Sequence, residues 1–158
     1  MRVLIDIRKQ TLQLIEDNKV FSEYRIASAK NGVGEINGSE CTPRGKHTIR
    51  AKIGKGEKEN TIFVARRPTG EIYSEELRLK EPQRDWILTR ILWLSGQEVG
   101  INRLGNVDTM RRYIYIHGCP DKDQMGVPSS HGCIKMHSKD VVELFDQVNV
   151  GTFVEIHE

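Results

Sequence analysis

The residues most able to do chemistry lie between positions 117 and 137, where two histidines and two cysteines share one spacing. The pairs are His117-x-Cys119 and His131-x-Cys133. A single free cysteine is commonly a small core residue, but four such residues in a stretch rich in glycine and serine favour a functional site. Two chemistries compete for them: a zinc site with two histidine and two cysteine ligands, and a cysteine nucleophile with a histidine base.

The spacing disfavours zinc. Structural zinc ligands usually have two or more residues between the members of each pair, whereas one residue separates each histidine from its cysteine here. A thiol with a reference pKa of ~8.5 is mostly protonated at neutral pH, and a nearby imidazole can take its proton. We therefore expect Cys133 to be a nucleophile and His117 to be its base, with no metal and no cofactor.

A glycine adjoins each of these two residues. Gly118 follows His117, so its carbonyl can orient the second ring nitrogen of the imidazole. Gly132 precedes Cys133 and frees the backbone for a tight turn, in which the amides of both residues can donate to a tetrahedral oxyanion. Together the four residues predict acyl transfer.

These residues resemble the signature of the L,D-transpeptidases, the family with a YkuD-like catalytic domain. The signature here is Ser130-His131-Gly132-Cys133-Ile134-Lys135-Met136, preceded by His117-Gly118. Other segments that resemble the family are an opening hairpin, a Thr-Pro-x-Gly loop and the last strand, found here at Ile5-Asp6 with 10–14, at 42–45 and at 151–157. The resemblance therefore covers nearly the whole chain.

The resemblance implies one catalytic domain over residues 1–158, with a mainly β, sandwich-like or barrel-like fold and one or two short helices. It implies that Cys133 attacks a peptidoglycan stem tetrapeptide at the L-centre carbonyl of the diamino acid, usually meso-diaminopimelate, and expels D-Ala. His117, oriented by Gly118, is the implied base, and Gly132 belongs to the implied oxyanion site. A covalent carbapenem adduct at Cys133 is also expected.

Four further residues are expected to bind substrate. Ser130, His131 and Lys135 belong to the signature, whereas Arg112 precedes the strand that delivers His117 and can form a basic wall for the carboxylates of the stem peptide. The family commonly has arginine at the position of Lys135, and lysine lacks the planar fork that binds a carboxylate in two places.

Cys119 is a second departure, because the family often has threonine at this position. Cys119 is either an inert neighbour or a redox partner of Cys133. Cys41 lies in a polar loop, where we expect no catalytic role.

Composition and the first residues bear on the partner and the compartment. The 158 residues include 24 Lys+Arg and 22 Asp+Glu, a net charge of +2 that gives no case for nucleic acid, and no apolar run is long enough to span a membrane. Charge interrupts the apolar run that begins at Met1, so we expect no export signal. Because three cysteines cannot all pair, free thiols and a cytoplasmic location are expected.

A cytoplasmic location favours water as the acceptor of the acyl group. The protein would then be an L,D-carboxypeptidase of muropeptide recycling. The alternative is an L,D-transpeptidase that forms 3-3 cross-links or tethers other groups to peptidoglycan, and a third possibility is an inactive peptidoglycan-binding domain.

Strands must position these residues. Alternating or continuous apolar patterns predict strands at 2–7, 11–16, 20–28, 46–51, 61–65, 88–95, 113–116 and 152–157. Residues 30–45 are expected to form a functional or capping loop, and 75–85 to be mostly loop. One helix is expected after an N-cap at Ser138, with its apolar face formed by Val141, Val142, Leu144, Phe145 and Val148.

Overall fold

The computed structural model describes all 158 residues as one curled, ten-stranded sheet with two α-helices, which confirms the mainly β fold. The strands are β1 (Arg2–Asp6), β2 (Thr11–Glu16), β3 (Lys19–Arg25), β4 (Gly45–Ile53), β5 (Thr61–Val64), β6 (Arg67–Ile72), β7 (Ile87–Gly96), β8 (Tyr115–Cys119), β9 (Ile134–His137) and β10 (Phe153–His157). The helices are α1 (Glu75–Lys80) and α2 (Ser138–Gln147). Neither helix is long and apolar enough to cross a membrane.

The strands are hydrogen-bonded in the order β3-β2-β1-β10-β4-β7-β5-β6, and β8 pairs with β7 and β9. β1 and β2 alternate between buried and less buried residues, as expected for a sheet with one face on a core. β7 is buried along almost its whole length because β4, β5 and β8 all pair with it. The central strand predicted at 88–95 is thus confirmed.

Helix α2 closes the main core. Val141, Leu144, Phe145 and Val148 join a cluster of 19 buried residues that also includes the inward side chains of β1, β2 and β10. The N-cap is His137 rather than Ser138, so the predicted cap was wrong. The Ser138 hydroxyl is buried instead against the Thr89 hydroxyl at 2.6 Å, and it donates to the Asn60 side chain.

The segment predicted as loop at 75–85 contains helix α1, and that prediction was also wrong. The Ser74 hydroxyl accepts a hydrogen bond from the Leu77 amide at 3.1 Å and caps the helix. Acidic residues in the first turn and basic residues in the last turn suit the helix dipole. The helix has no buried residue, so its sequence lacks the periodic apolar pattern from which a helix is predicted.

Strands β8 and β9 carry the functional signature. They run parallel, with His117 opposite Lys135. The strand predicted at 113–116 begins later, at Tyr115, because Tyr113 lies in a turn with a φ of 57°. His117 therefore lies in the middle of β8 rather than at its end.

Gly118 has a steric reason to be glycine. A Cβ at this position would lie 2.5 Å from the Leu88 carbonyl oxygen on the neighbouring strand β7. Any side chain would push β8 away from β7 and move His117 with it.

Candidate active site

One cavity of about 460 Å³ lies at the ends of β8 and β9 and reaches the β5–β6 turn and the segment before β7. The structure brings five of the predicted site residues to this cavity: His117, Ser130, His131, Cys133 and Lys135. They come from two segments that are adjacent only because β8 and β9 pair.

The Cys133 thiol is held by the backbone that leads into β8. Cys133 immediately precedes β9, its Sγ accepts a hydrogen bond from the Tyr115 amide at 3.3 Å, and its hydrogen points to the Tyr113 carbonyl at 3.4 Å. Burial raises the pKa of the thiol to about 12, although the Tyr115 amide opposes that shift. Cys133 is therefore a neutral thiol in the resting protein.

The His117 ring is oriented by the neighbouring glycine. Its Nδ1 lies 2.7 Å from the Gly118 carbonyl oxygen. Because a carbonyl oxygen only accepts, Nδ1 carries the hydrogen and Nε2 keeps a free lone pair. The ring is 3% exposed, and burial lowers the pKa of His117, so the imidazole is neutral at neutral pH.

The thiol and the imidazole meet the same cavity but are not hydrogen-bonded to each other. Tyr115 and His117 are two residues apart on β8, so their side chains lie on one face of the strand. The same Tyr115 whose amide holds the sulfur therefore sits beside the imidazole. In the resting protein the thiol still donates its hydrogen to the Tyr113 carbonyl and has not transferred it to His117.

The expected oxyanion donors are only partly free. The Gly132 amide donates to the Ser130 hydroxyl at 3.2 Å, and that hydroxyl donates to the Cys133 carbonyl. Ser130 thus shapes the turn, although it also lines the cavity. The expectation of a free Gly132 amide was wrong, whereas the Cys133 and His131 amides have no protein partner.

Gly132 is needed for its backbone shape. Its φ of +134° is disfavoured for residues with a side chain, and an added Cβ would lie 3.0 Å from the Ile114 Cδ1 atom. The buried Thr42 hydroxyl donates to the Gly132 carbonyl at 2.9 Å and accepts from the Ala29 amide at 2.9 Å. The Thr-Pro-x-Gly loop therefore fixes the turn that presents Cys133.

Lys135 lines the cavity, but its ammonium group already forms an ion pair with a carboxylate. Its Nζ lies 3.0 Å from Asp123, which also pairs with Arg78 at 2.9 Å. Burial would raise the pKa of Asp123, but Lys135 and Arg78 outweigh it and hold that pKa below the ordinary value. Asp123 is thus an ionised bridge between two cations.

Arg112 does not line the cavity, contrary to its predicted role as a cleft wall. Its guanidinium donates to the Cys41 carbonyl at 2.7 Å and to the Glu35 and Gly34 carbonyls. These bonds fasten the polar loop at 30–45 behind the Cys133 turn. Arg112 therefore holds the loop in place.

Cys119 lies apart from the cavity. It is fully buried with Ala27 and Met125, and burial raises the pKa of its thiol to about 12. All three cysteines are free. No group of three or more His, Cys, Asp and Glu side chains is arranged to hold a metal ion.

Several cavity residues were not identified from the sequence. Arg66 comes from the β5–β6 turn, Asp85 and Trp86 precede β7, and Asp123 lies between the two signature segments. Only Asp123 had a usable signal in the sequence, because it is an acidic residue between the two segments of the signature, the second of which contains the basic residue Lys135. The others reach the cavity through strand pairings of distant segments.

Comparison with known proteins gives a consistent result. The family model of the L,D-transpeptidase catalytic domain, YkuD, matches residues 1–156. YqjB of Bacillus subtilis strain 168, whose name assigns it to the L,D-transpeptidases, is 29% identical over 154 residues, which cover 98% of this chain and 69% of that protein.

Two solved structures share the fold. The avibactam carbamoyl enzyme of Ldtfm matches with a TM-score of 0.61 and 19% identity over 99% of this chain and 48% of that chain. The C442S mutant of Enterococcus faecium L,D-transpeptidase matches with a TM-score of 0.59 and 19% identity over 99% and 49%. This chain thus spans about half the length of these two solved proteins.

Proposed function

The chain belongs to the L,D-transpeptidase catalytic-domain family, and from this we propose that it is a cysteine acyl-transfer enzyme that releases D-Ala from a peptidoglycan stem tetrapeptide. The scissile bond joins the L-centre of the diamino acid, usually meso-diaminopimelate, to the terminal D-Ala. The observation that carries the proposal is one cavity lined by the Cys133 thiol and by His117, whose Nε2 lone pair is free.

In the first step the Cys133 sulfur forms a bond to the L-centre carbonyl carbon. The thiol hydrogen leaves the Tyr113 carbonyl and passes to Nε2 of His117 as the C–S bond forms. The unpaired Cys133 amide donates to the developing oxyanion. The C–N bond then breaks, the proton on His117 goes to the D-Ala nitrogen, and a thioester remains.

In the second step we propose that water attacks the thioester. His117 takes a proton from the water, the C–O bond forms, and the C–S bond breaks. The proton returns to the sulfur, and the product is a tripeptide with a free L-centre carboxylate. The enzyme is then an L,D-carboxypeptidase.

The cavity supports water as the acceptor. Its volume of about 460 Å³ is within the range of single-ligand pockets. Four Lys and Arg side chains and two Asp side chains line it, and water is the acceptor that needs no binding partner among these charges. We propose that tripeptide production serves muropeptide recycling in the cytoplasm, and cell fractionation tests that location.

The experiment is incubation of the protein with tetrapeptide in H₂¹⁸O, followed by mass spectrometry. The proposal predicts free D-Ala and a tripeptide that carries one ¹⁸O atom. D-Ala release with cross-linked dimers and no ¹⁸O in the tripeptide would replace water by an amine and make the protein a transpeptidase. No release with any acceptor would contradict both enzymes and favour an inactive peptidoglycan-binding domain.

A further inference from the structure

The charged side chains of the cavity fall into two groups. Four of the six are in ion pairs: Lys135 and Arg78 share Asp123, and Arg84 pairs with Glu71 and Glu81. Arg66 and Asp85 have no ion pair, either with each other or with any other residue. The cavity thus holds one cation and one anion that have no ion-pair partner.

Arg66 is held in an unusual backbone position. Ala65 and Arg66 form the two-residue turn between β5 and β6, with φ values of 48° and 63°. Positive φ at both central residues is normally supplied by Asn-Gly or similar pairs, so alanine and arginine here carry a conformational cost. Aromatic contacts offset it, because the guanidinium lies 4.6 Å from the Trp93 ring centre and 5.0 Å from that of Tyr113.

The same guanidinium is tied to the reacting sulfur through Tyr115. Arg66 donates to the Tyr115 hydroxyl at 2.9 Å, and the Tyr115 amide donates to the Cys133 sulfur at 3.3 Å. An arginine has five N–H donors, and the only hydrogen bond from the Arg66 side chain is the one to Tyr115. A rigid, half-buried guanidinium with donors to spare matches the planar geometry of a carboxylate.

Asp85 lies at the exposed side of the same cavity, and its carboxylate accepts no hydrogen bond from the protein. It lines this cavity together with His117 and Cys133, and its charge opposes the lowering of the His117 pKa by burial. An unpaired carboxylate near the reaction centre suits a ligand ammonium group.

We propose that Arg66 and Asp85 recognise the carboxylate and the ammonium of the distal centre of the diamino acid whose L-centre Cys133 attacks. This inference rests on the proposed function. A stem tetrapeptide also has carboxylates on D-Ala and on its acidic residue, but neither has a free ammonium on the same carbon. Only the distal centre of diaminopimelate offers both charges on one carbon, and both unpaired side chains line the cavity that would receive it.

The test measures D-Ala release from three tetrapeptides that differ only in the diamino acid position. Diaminopimelate has both distal groups, lysine lacks the distal carboxylate, and 2-aminopimelate lacks the distal ammonium. For the wild-type protein we expect kcat/KM to be highest with diaminopimelate, by about tenfold or more over each of the others.

Each variant should remove one preference and keep the other. Arg66→Gln is expected to reduce the preference for diaminopimelate over lysine to about twofold or less, and Asp85→Asn to do the same for 2-aminopimelate. Arg67→Gln and Asp121→Asn are matched controls, because these exposed residues do not line the cavity, and both preferences should survive in them. Arg66→Lys keeps the charge if Arg66→Gln fails to fold, and it should retain part of the preference.

Equal losses on all three peptides in the Arg66 and Asp85 variants would show structural roles and overturn the inference. If the wild-type protein releases no D-Ala, the proposed function fails, and the inference is then tested by calorimetric binding of the same three peptides to the Cys133→Ala protein. Equal affinities there would overturn it, whereas tightest binding of the diaminopimelate peptide would support it.

Discussion

The two His-x-Cys pairs have the same spacing and opposite surroundings. In the first pair His117 faces the cavity while Cys119 is packed against Ala27 and Met125. In the second pair Cys133 faces the cavity, while His131 is exposed at its edge. The candidate catalytic pair thus takes its histidine from one segment and its cysteine from the other.

Thiol acidity does not distinguish the two cysteines, because burial raises the pKa of both Cys119 and Cys133 to about 12. What differs is access and partners. Cys133 meets a cavity, has an unpaired amide and shares that cavity with a neutral imidazole, whereas Cys119 does not line the cavity and packs with Ala27 and Met125. Function at this site depends on where the backbone places the sulfur.

The largest expected difference is in D-Ala release between a Cys133 variant and a Cys119 variant. Cys133→Ala removes the nucleophile, so D-Ala release should fall by about 10⁴-fold or more. Cys119→Ser should keep kcat within about twofold, because this residue does not line the cavity. A comparable loss in both variants, measured as D-Ala release by mass spectrometry, would mean that the two thiols act together and would support the redox-partner alternative.

The second largest expected difference is in kcat between variants of the two histidines. His117→Gln removes the base and should lower kcat by about 10²-fold to 10⁴-fold. His131→Gln keeps the base and should cost about tenfold or less, through lost contact with substrate. Steady-state kinetics of both variants checks the assignment, and a larger loss in the His131 variant would reverse it.

The pH profile should show the neutral resting pair. His117 accepts a proton only when it is neutral, and burial lowers its pKa, so kcat/KM should stay level at neutral pH and fall about tenfold per pH unit only below a midpoint under 6.5. The high pKa of Cys133 predicts no thiolate-driven rise between pH 7 and 10. A midpoint above 6.5 for the acid limb, in initial rates of D-Ala release, would contradict the lowered pKa of His117, and a fall in rate above neutral pH would argue for a preformed ion pair.

The free energy of unfolding should differ in the opposite direction from activity, with Cys119 more sensitive to replacement than Cys133, and this is the smallest of the expected effects. Cys119→Ser places a hydroxyl among apolar side chains and should lower the free energy of unfolding by about 1–3 kcal/mol. Cys133→Ser places a hydroxyl where the thiol already has the Tyr113 carbonyl and the Tyr115 amide as partners, so the cost should be under about 1 kcal/mol. Urea titrations of the two proteins give both values, and equal costs would contradict the different environments described here.

Much of the site could be predicted because its residue types are confined to a short signature. The signature located His117, Cys133 and their glycines, since a thiol, a base and tight backbone turns are local requirements. Arg66 and Asp85 could not be found in this way, because a turn arginine and an exposed aspartate become cavity residues only through pairing of β5, β7 and β8. The role predicted for Arg112 differs from its position in the structure for the same reason, because its partners are loop carbonyls whose position cannot be predicted from the sequence.

The fold could be predicted where apolar patterns were strong. The buried strand β7 and the apolar face of α2 were found from continuous and helical patterns. Strand β6 is exposed at every residue and α1 has no buried residue, so neither produces such a pattern. Both of these missed elements depend on hydrogen bonding rather than on burial, whereas the missed strand β9 has two buried residues in only four positions, too short a run for a clear pattern.

The central claim is that Cys133, activated by His117, carries the acyl group. Its most direct measurement is the location of the covalent adduct after incubation with a carbapenem, by proteolysis and tandem mass spectrometry, with Cys41 and Cys119 as internal controls. We expect the added mass on Cys133 alone, with formation much slower in the His117→Gln protein. An adduct on Cys41 or Cys119, or no adduct on Cys133, would contradict it.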